Sequence, residues 1–97
     1  MPQILEENEI ELALTRVPRW TRVGSHIERT WIFPGFAQSV DFVNLVASEA
    51  EQAEHHPDID IRWNKVTLRL STHSAGGLTG YDFGLAQLLD TLPVVEK

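Results

Sequence analysis

Histidine is the residue type whose arrangement in this chain most suggests chemistry. Two of the four histidines are adjacent, His55 and His56, and two stand apart, His26 and His73. Because imidazole has an unperturbed pKa of about 6.5, histidines grouped with carboxylates can donate and accept protons at neutral pH. Glu51 comes four residues before His55 and would share its helix face. The pattern therefore indicates a site for general acid–base catalysis.

Other interpretations of the same residues stay open. Any one histidine, taken alone, is more often a surface or capping residue than a catalytic one. Asp82 is first of all a helix cap, and Trp63 is first of all a packing residue. Three histidines and a carboxylate could also hold zinc, but adjacent histidines on a regular helix point about 100° apart. We therefore expect no metal site, and general acid–base chemistry needs no cofactor.

Composition narrows the class of protein. The 97 residues carry a formal charge of −6, 42% apolar and 23% charged residues, and no cysteine. Disulfides, thiol nucleophiles and cysteine-ligated zinc are thereby excluded. No Lys/Arg run offers a phosphate-binding face, and no apolar stretch approaches the roughly 18 to 20 residues of a membrane span. We expect one domain over 1–97, located in the cytoplasm, with no direct contact to nucleic acid or membrane.

Hydrophobic periodicity predicts the elements that would position these residues. The predicted order is a helix over 5–17, strands over 19–23 and 27–33, a helix over 36–54, strands over 59–63 and 66–70, and a last helix after a loop over 71–78. Asn64 and Lys65 form the predicted turn of the second hairpin, and His73 follows its last strand. This α-β-β-α-β-β-α order predicts an α+β domain with a four-stranded antiparallel sheet and three helices on one face.

Two details within the helices matter for the site. On the long helix, a stripe is predicted to face the core, widened by Phe42 and Val46; its members are Phe36, Val40, Val43, Ala47 and Ala50. At the last helix, Thr79 is the predicted N-cap, and Asp82 lies at N3, where its carboxylate can return to the cap.

The spacing of the candidate residues resembles the signature of the pterin-4a-carbinolamine dehydratases. The positions that carry the resemblance are Glu51, His55, His56, Pro57, Trp63, His73 and Asp82. The amino-acid sequences of residues 55–66 and 72–79 are also similar to those of the family. Less characteristic positions of the family match upstream, at Trp20, Ile27, Arg29, Phe33 and Phe36. The resemblance covers about 5–90. The chain departs from the usual pattern at Gly80, often charged in the family, and at Trp63, often tyrosine. We expect these departures to alter at most the pocket wall or the stiffness of a loop.

The resemblance implies an activity and an assembly. Members of the family dehydrate the 4a-hydroxytetrahydropterin left by pterin-dependent aromatic amino acid hydroxylases, which supports recycling of tetrahydrobiopterin. This dehydration needs one acid and one base and no redox cofactor, so we expect neither a cofactor nor a metal. They form homodimers or homotetramers in which sheets join edge to edge and helices pack between dimers. Some animal members also act as dimerisation partners of a homeodomain transcription factor.

The resemblance also implies roles for the matching residues. We expect His56 and His73 to transfer protons and His55 to hold the substrate near its hydroxyl. Asp82 is expected to orient His73. The remaining matching positions are supporting ones: Glu51 would tune the histidine pair, Pro57 would fix the chain direction after it, and Trp63 would form a flat wall against the pterin ring. Three other functions stay open, namely a non-catalytic binding module, a metal-dependent hydrolase and a dehydratase for a different pterin.

Overall fold

The predicted order of helices and strands is confirmed. The computed structural model describes residues 3–97, so Met1 and Pro2 of the domain predicted over 1–97 lie outside the described residues. The elements are α1 (Glu7–Leu14), β1 (Thr21–Val23), β2 (His26–Ile32), α2 (Phe36–Ala53), β3 (Asp58–Arg62), β4 (Lys65–Leu70) and α3 (Gly80–Asp90), with a short 3-10 turn at His73–Ala75. Within residues 3–97, no helix combines the length and apolarity that a membrane crossing requires.

The four strands form one antiparallel sheet in the order β1-β2-β4-β3. Side chains alternate between its two faces. One face, with Ile27, Trp31 and Leu68, is buried beneath the helices. The opposite face is polar, and there Arg69 of β4 is the register partner of both Glu28 on β2 and Asp58 on β3. The predicted α+β fold is therefore confirmed.

The buried face of α2 agrees in part with the predicted stripe. The buried residues are Ser39, Phe42, Val46 and Ala50. Phe42, Val46 and Ala50 of the widened stripe are therefore confirmed, whereas Phe36 is 54% exposed, Ala47 is exposed, and Val40 and Val43 are half-buried. The reason is aromatic packing: Phe42 lies with its ring centroid 4.7 Å from that of Trp31 and 5.1 Å from that of Phe33. These contacts rotate the helix so that Phe42 faces the sheet.

The second hairpin turns one residue earlier than predicted. Arg62 pairs with Lys65, so the two turn residues are Trp63 and Asn64, and the predicted Asn64–Lys65 turn is wrong. Asn64 is buried, and its side-chain amide donates to the Phe33 carbonyl at 3.1 Å. This tie fixes Asn64 against the end of β2. Trp63 is left in the turn at a φ of 52°.

A buried arginine ties the C-terminal residues to the sheet. Arg29 lies on the helix-covered face of β2, with its guanidinium 4.1 Å from the centroid of the Trp31 ring. Its Nη1 donates to Asp90 at 2.5 Å and its Nη2 to Glu96 at 3.3 Å. Asp90 also accepts from the Trp20 indole at 2.8 Å. The buried cation is therefore paired, as its burial requires.

Candidate active site

His55 is held by a buried carboxylate. Helix α2 ends at Ala53, and the left-handed backbone of the C-cap Glu54 (φ 51°) turns the chain out of the helix. His55 follows with its side chain 12% exposed, and its Nε2 lies 2.6 Å from Oδ1 of Asp82. Because an ionised carboxylate only accepts hydrogen bonds, Nε2 is the donor. In the neutral imidazole, Nδ1 is then the basic nitrogen.

Asp82 joins three segments of the chain. It is fully buried in the first turn of α3, where Oδ2 accepts from the Thr79 amide at 2.9 Å. The Thr79 hydroxyl accepts from the Tyr81 amide at 3.2 Å, so the predicted N-cap and its N3 partner are confirmed. Oδ2 also accepts from the Thr72 hydroxyl at 2.9 Å. Asp82 thus connects His55 to the residue that precedes His73, and both histidine segments lie at the same end of the sheet.

The predicted pairing of Asp82 with His73 is wrong. Both oxygens of Asp82 are taken by His55, Thr72 and Thr79. His73 itself begins the 3-10 turn and is exposed. The physical reason is the direction of the chain after β4: Thr72 turns its hydroxyl inward toward Asp82, and the next side chain points out to solvent.

His56 is paired with Glu51 on the surface. Its Nε2 lies 2.6 Å from Oε2 of Glu51, with the two side chains 64% and 76% exposed. The helix spacing had indicated that Glu51 would face His55; the left-handed residue at Glu54 brings His56 to it instead. Because solvent screens so exposed a pair, it contributes little to stability. Pro57 follows, its ring fixing φ as the chain enters β3.

A cavity of about 270 Å³ opens beside His73. Its polar lining comes from the open face of the sheet and from the loops at that end: Ser25, His26, Asp58, Arg69, Ser71 and His73. Among the described residues, His73 forms no side-chain hydrogen bond. An exposed, unpaired imidazole at the mouth of a cavity is free to exchange a proton with a bound molecule.

One wall of the cavity is fixed by a carboxylate behind it. Glu28 accepts from Nε2 of His26 at 3.1 Å and from Nε of Arg69 at 3.2 Å. The hydrogen bond from His26, supported by Arg69, holds the pKa of Glu28 below its ordinary value of about 4.5, against the opposing effect of burial. The ionised carboxylate therefore orients both side chains.

Trp63 does not line this site in its own chain. It lies in the β3–β4 turn, at the far end of the hairpin from His56 and His73, and five strand residues separate it from them by about 15 Å. The aromatic ring beside His55 is Tyr81, with centroids 6.1 Å apart. The predicted role of Trp63 as a wall for a ligand at these histidines is therefore not met within one chain.

Sequence reasoning missed four residues of the site: Thr72, Tyr81, Asp58 and Arg69. A signal existed for Asp58 and Arg69, because strand alternation puts both on the polar face of the predicted hairpin. Nothing local distinguished Thr72 or Tyr81. In the part of the chain that the structure describes, no three His, Asp or Glu side chains gather as metal ligands.

Comparison with known proteins agrees with this architecture. Residues 3–92 match the family model described as "Pterin 4 alpha carbinolamine dehydratase". Relatives provisionally named pterin-4-alpha-carbinolamine dehydratase are 53% identical over 92 residues in Roseiflexus castenholzii (95% of this chain, 99% of the relative) and 51% identical over 90 residues in Nocardia farcinica (93% and 95%).

Two solved structures are similar. The transcriptional coactivator/pterin dehydratase from Brucella melitensis is 31% identical with a TM-score of 0.86, covering 91% of this chain and 96% of that one. A pterin dehydratase-like protein identified as a RuBisCO assembly factor in the α-carboxysome shares the fold, at 20% identity and a TM-score of 0.59 over 74% of this chain and 83% of that one. On the family match and the identities of its relatives, the chain belongs to the pterin-4-alpha-carbinolamine dehydratase family.

Proposed function

We propose that this protein dehydrates a 4a-hydroxytetrahydropterin to the quinonoid dihydropterin and water, in support of tetrahydrobiopterin recycling. The observation that carries the proposal is the network around Asp82, which links His55 on one segment to Thr72, next to His73, on another. Together with the adjacent His56, three imidazoles are then available at one end of the sheet. Family membership supplies the substrate class.

The reaction needs one acid and one base. In the substrate, C4a carries a hydroxyl group and is bonded to N5. The C4a–O bond breaks as a proton is delivered to the oxygen, which leaves as water. The N5 lone pair forms the C4a=N5 double bond, and a ring N–H proton goes to the base. Atoms and electrons balance without a redox partner, and positioned acid–base groups typically give a ~10²–10⁴-fold acceleration.

The three imidazoles differ in ways that suit different roles. His56 and His73 are exposed, so they can exchange protons with solvent between turnovers; we assign proton transfer to them. His55 is nearly buried and fixed through Nε2 by Asp82, which suits it to hold the substrate hydroxyl rather than to move a proton. Asp82 is then a positioning residue for His55, and Glu51 one for His56.

We further propose that the chain acts as a homodimer or homotetramer and receives its substrate from a pterin-dependent aromatic amino acid hydroxylase. The exposed apolar side chains of α2, Phe36 at 54% and Leu45 at 37%, support assembly. They also favour the second candidate, a binding or coactivator role like that in the name of the Brucella melitensis relative. Only the first function requires the histidines.

The test is the decay of 4a-hydroxytetrahydropterin, generated in situ by a pterin-dependent hydroxylase and followed by ultraviolet absorbance. We compare buffer, the protein and its His56→Ala/His73→Ala variant, each with and without chelator. Decay that the protein accelerates, that chelator does not affect and that the variant loses supports the metal-free histidine dehydratase. Acceleration that chelator abolishes would mean that the dehydration depends on a metal and would contradict the metal-free mechanism. No acceleration by folded protein supports the binding role.

A further inference from the structure

The cavity beside His73 contains a carboxylate and a guanidinium on adjacent strands. Asp58 and Arg69 are register partners on the polar face of the sheet, so their Cβ atoms are neighbours. Within residues 3–97, Asp58 forms no salt bridge. Arg69 donates through Nε to Glu28, and its Nη1 and Nη2 form no hydrogen bond to described residues. Both groups line the cavity with unused hydrogen-bonding capacity.

Asp58 and Arg69 together favour a neutral ligand that carries hydrogen-bond donors next to a hydrogen-bond acceptor. A carboxylate accepts two parallel hydrogen bonds from neighbouring N–H groups, and a guanidinium donates to a carbonyl oxygen. An anionic ligand would meet the carboxylate of Asp58, while a cationic one would meet the guanidinium of Arg69. The volume of about 270 Å³ is near the lower end, roughly 300 Å³, of small-molecule sites, so a bicyclic head group fits better than a larger ligand.

We propose that Asp58 and Arg69 form the subsite for the 2-amino-4-oxopyrimidine end of the pterin. Asp58 accepts hydrogen bonds from the 2-amino group and N3–H, and Arg69 donates to O4. The carbon that bears O4 is bonded to C4a, the reacting carbon. Hydrogen bonds from Asp58 and Arg69 to the pyrimidine ring therefore direct C4a toward His73 in the same cavity. The subsite rests on the proposed function, because it takes the pterin as its ligand.

The test uses calorimetric titration with two stable probes, 7,8-dihydropterin and 7,8-dihydrolumazine, which carries an oxygen in place of the 2-amino group. The wild-type protein should bind dihydropterin roughly 10- to 100-fold more tightly, because the lumazine loses a charge-assisted hydrogen bond and sets an oxygen against Asp58. Asp58→Asn should lose most of this preference. Asp60→Asn is the matched control, since Asp60 lies two residues further along the same face and already accepts from Arg62 at 3.2 Å.

A second variant tests the arginine. Arg69→Gln should weaken the binding of both probes by roughly tenfold, since both carry O4. Arg62→Gln should leave the affinity for both probes unchanged. Asp58→Asn with unchanged preference overturns the subsite; continued acceleration of 4a-hydroxytetrahydropterin decay by wild type would then leave the proposed function standing. A wild-type protein that binds neither probe and fails in the decay assay overturns both.

Discussion

Replacing Asp82 by asparagine should lower the stability of the fold and change His55 Nε2 from a hydrogen-bond donor to an acceptor. The carboxylate accepts from three donors: His55 Nε2 at 2.6 Å, the Thr72 hydroxyl at 2.9 Å and the Thr79 amide at 2.9 Å. Asparagine keeps the shape but has one acceptor oxygen, and its amide then faces at least one of these donors. The rearrangement that satisfies all groups turns the amide NH₂ toward His55, which forces Nε2 to accept and places the proton on Nδ1.

The magnitude follows from the bonds affected. Hydrogen bonds to a charged group contribute about 1.5 to 3 kcal/mol and neutral ones about 0.5 to 1.5, so Asp82→Asn should cost about 2 kcal/mol. For a chain of this length, that lowers Tm by roughly 10 °C. Asp82→Ala removes the acceptor of the Thr79 amide and of His55 Nε2, while the Thr72 hydroxyl keeps the Thr79 hydroxyl as a partner at 2.8 Å, so the variant should lose about 3 to 5 kcal/mol of stability. Turnover of Asp82→Asn should fall by about tenfold, less than the ~10²–10⁴-fold expected for loss of a proton-transferring group.

Three measurements check this prediction: urea unfolding for stability, the decay assay for turnover, and ¹⁵N chemical shifts of the His55 ring for the tautomer. Asp60→Asn serves as the control for a half-buried carboxylate outside this network. If Asp82→Asn unfolds like wild type and His55 keeps its proton on Nε2, Asp82 does not organise this site. A loss of turnover with the tautomer unchanged would likewise contradict the assigned role.

Three further predictions concern stability. Glu54→Gly should raise the free energy of unfolding by about 1 kcal/mol, because glycine adopts the left-handed conformation at this helix end without strain; urea unfolding would show it, and a loss would contradict it. Asp90→Ala should lower the free energy of unfolding by about 3 kcal/mol, because the buried Arg29 loses its main ion-pair partner; Asp90→Asn should lower it by less. The lowered pKa of Glu28, held mainly by His26, should stabilise the fold above about pH 4.5 and cease to do so as pH falls through the folded-state pKa. Between about pH 6 and pH 3.5, the free energy of unfolding of Glu28→Gln should therefore fall less steeply than that of wild type. Equal slopes would refute the contribution of Glu28 to the pH dependence of stability.

Features determined by neighbouring residues could be predicted from the sequence. The order of elements followed from hydrophobic periodicity, and the cap at Thr79 with Asp82 followed from residue types three positions apart. The bounds of α2, 36–54 predicted against Phe36–Ala53, differ by one residue. These features share a cause: each depends on interactions within a few positions along the chain.

Features determined by distant contacts could not be predicted. The Asn64 amide bonds to Phe33, 31 residues away, and this tie moves the hairpin turn by one residue. A turn at Asn64–Lys65 would have paired Arg69 with Asp60; the observed turn pairs it with Asp58, and so decides which carboxylate shares the cavity. The partner of Asp82 likewise depends on how the chain turns after α2, where Glu54 brings His55 inward.

The division of roles among the histidines is the central claim, and chemical rescue tests it most directly. His73→Ala is measured in the 4a-hydroxytetrahydropterin decay assay with and without added imidazole, beside His55→Ala. We predict that His73→Ala folds like wild type, loses ~10²–10⁴-fold in turnover and regains part of it with imidazole, which can enter the space left beside the cavity. His55→Ala, which loses a fixed positioning group, should not be rescued. Near-normal turnover of His73→Ala, or rescue of His55→Ala alone, would contradict the assignment of proton transfer to His73.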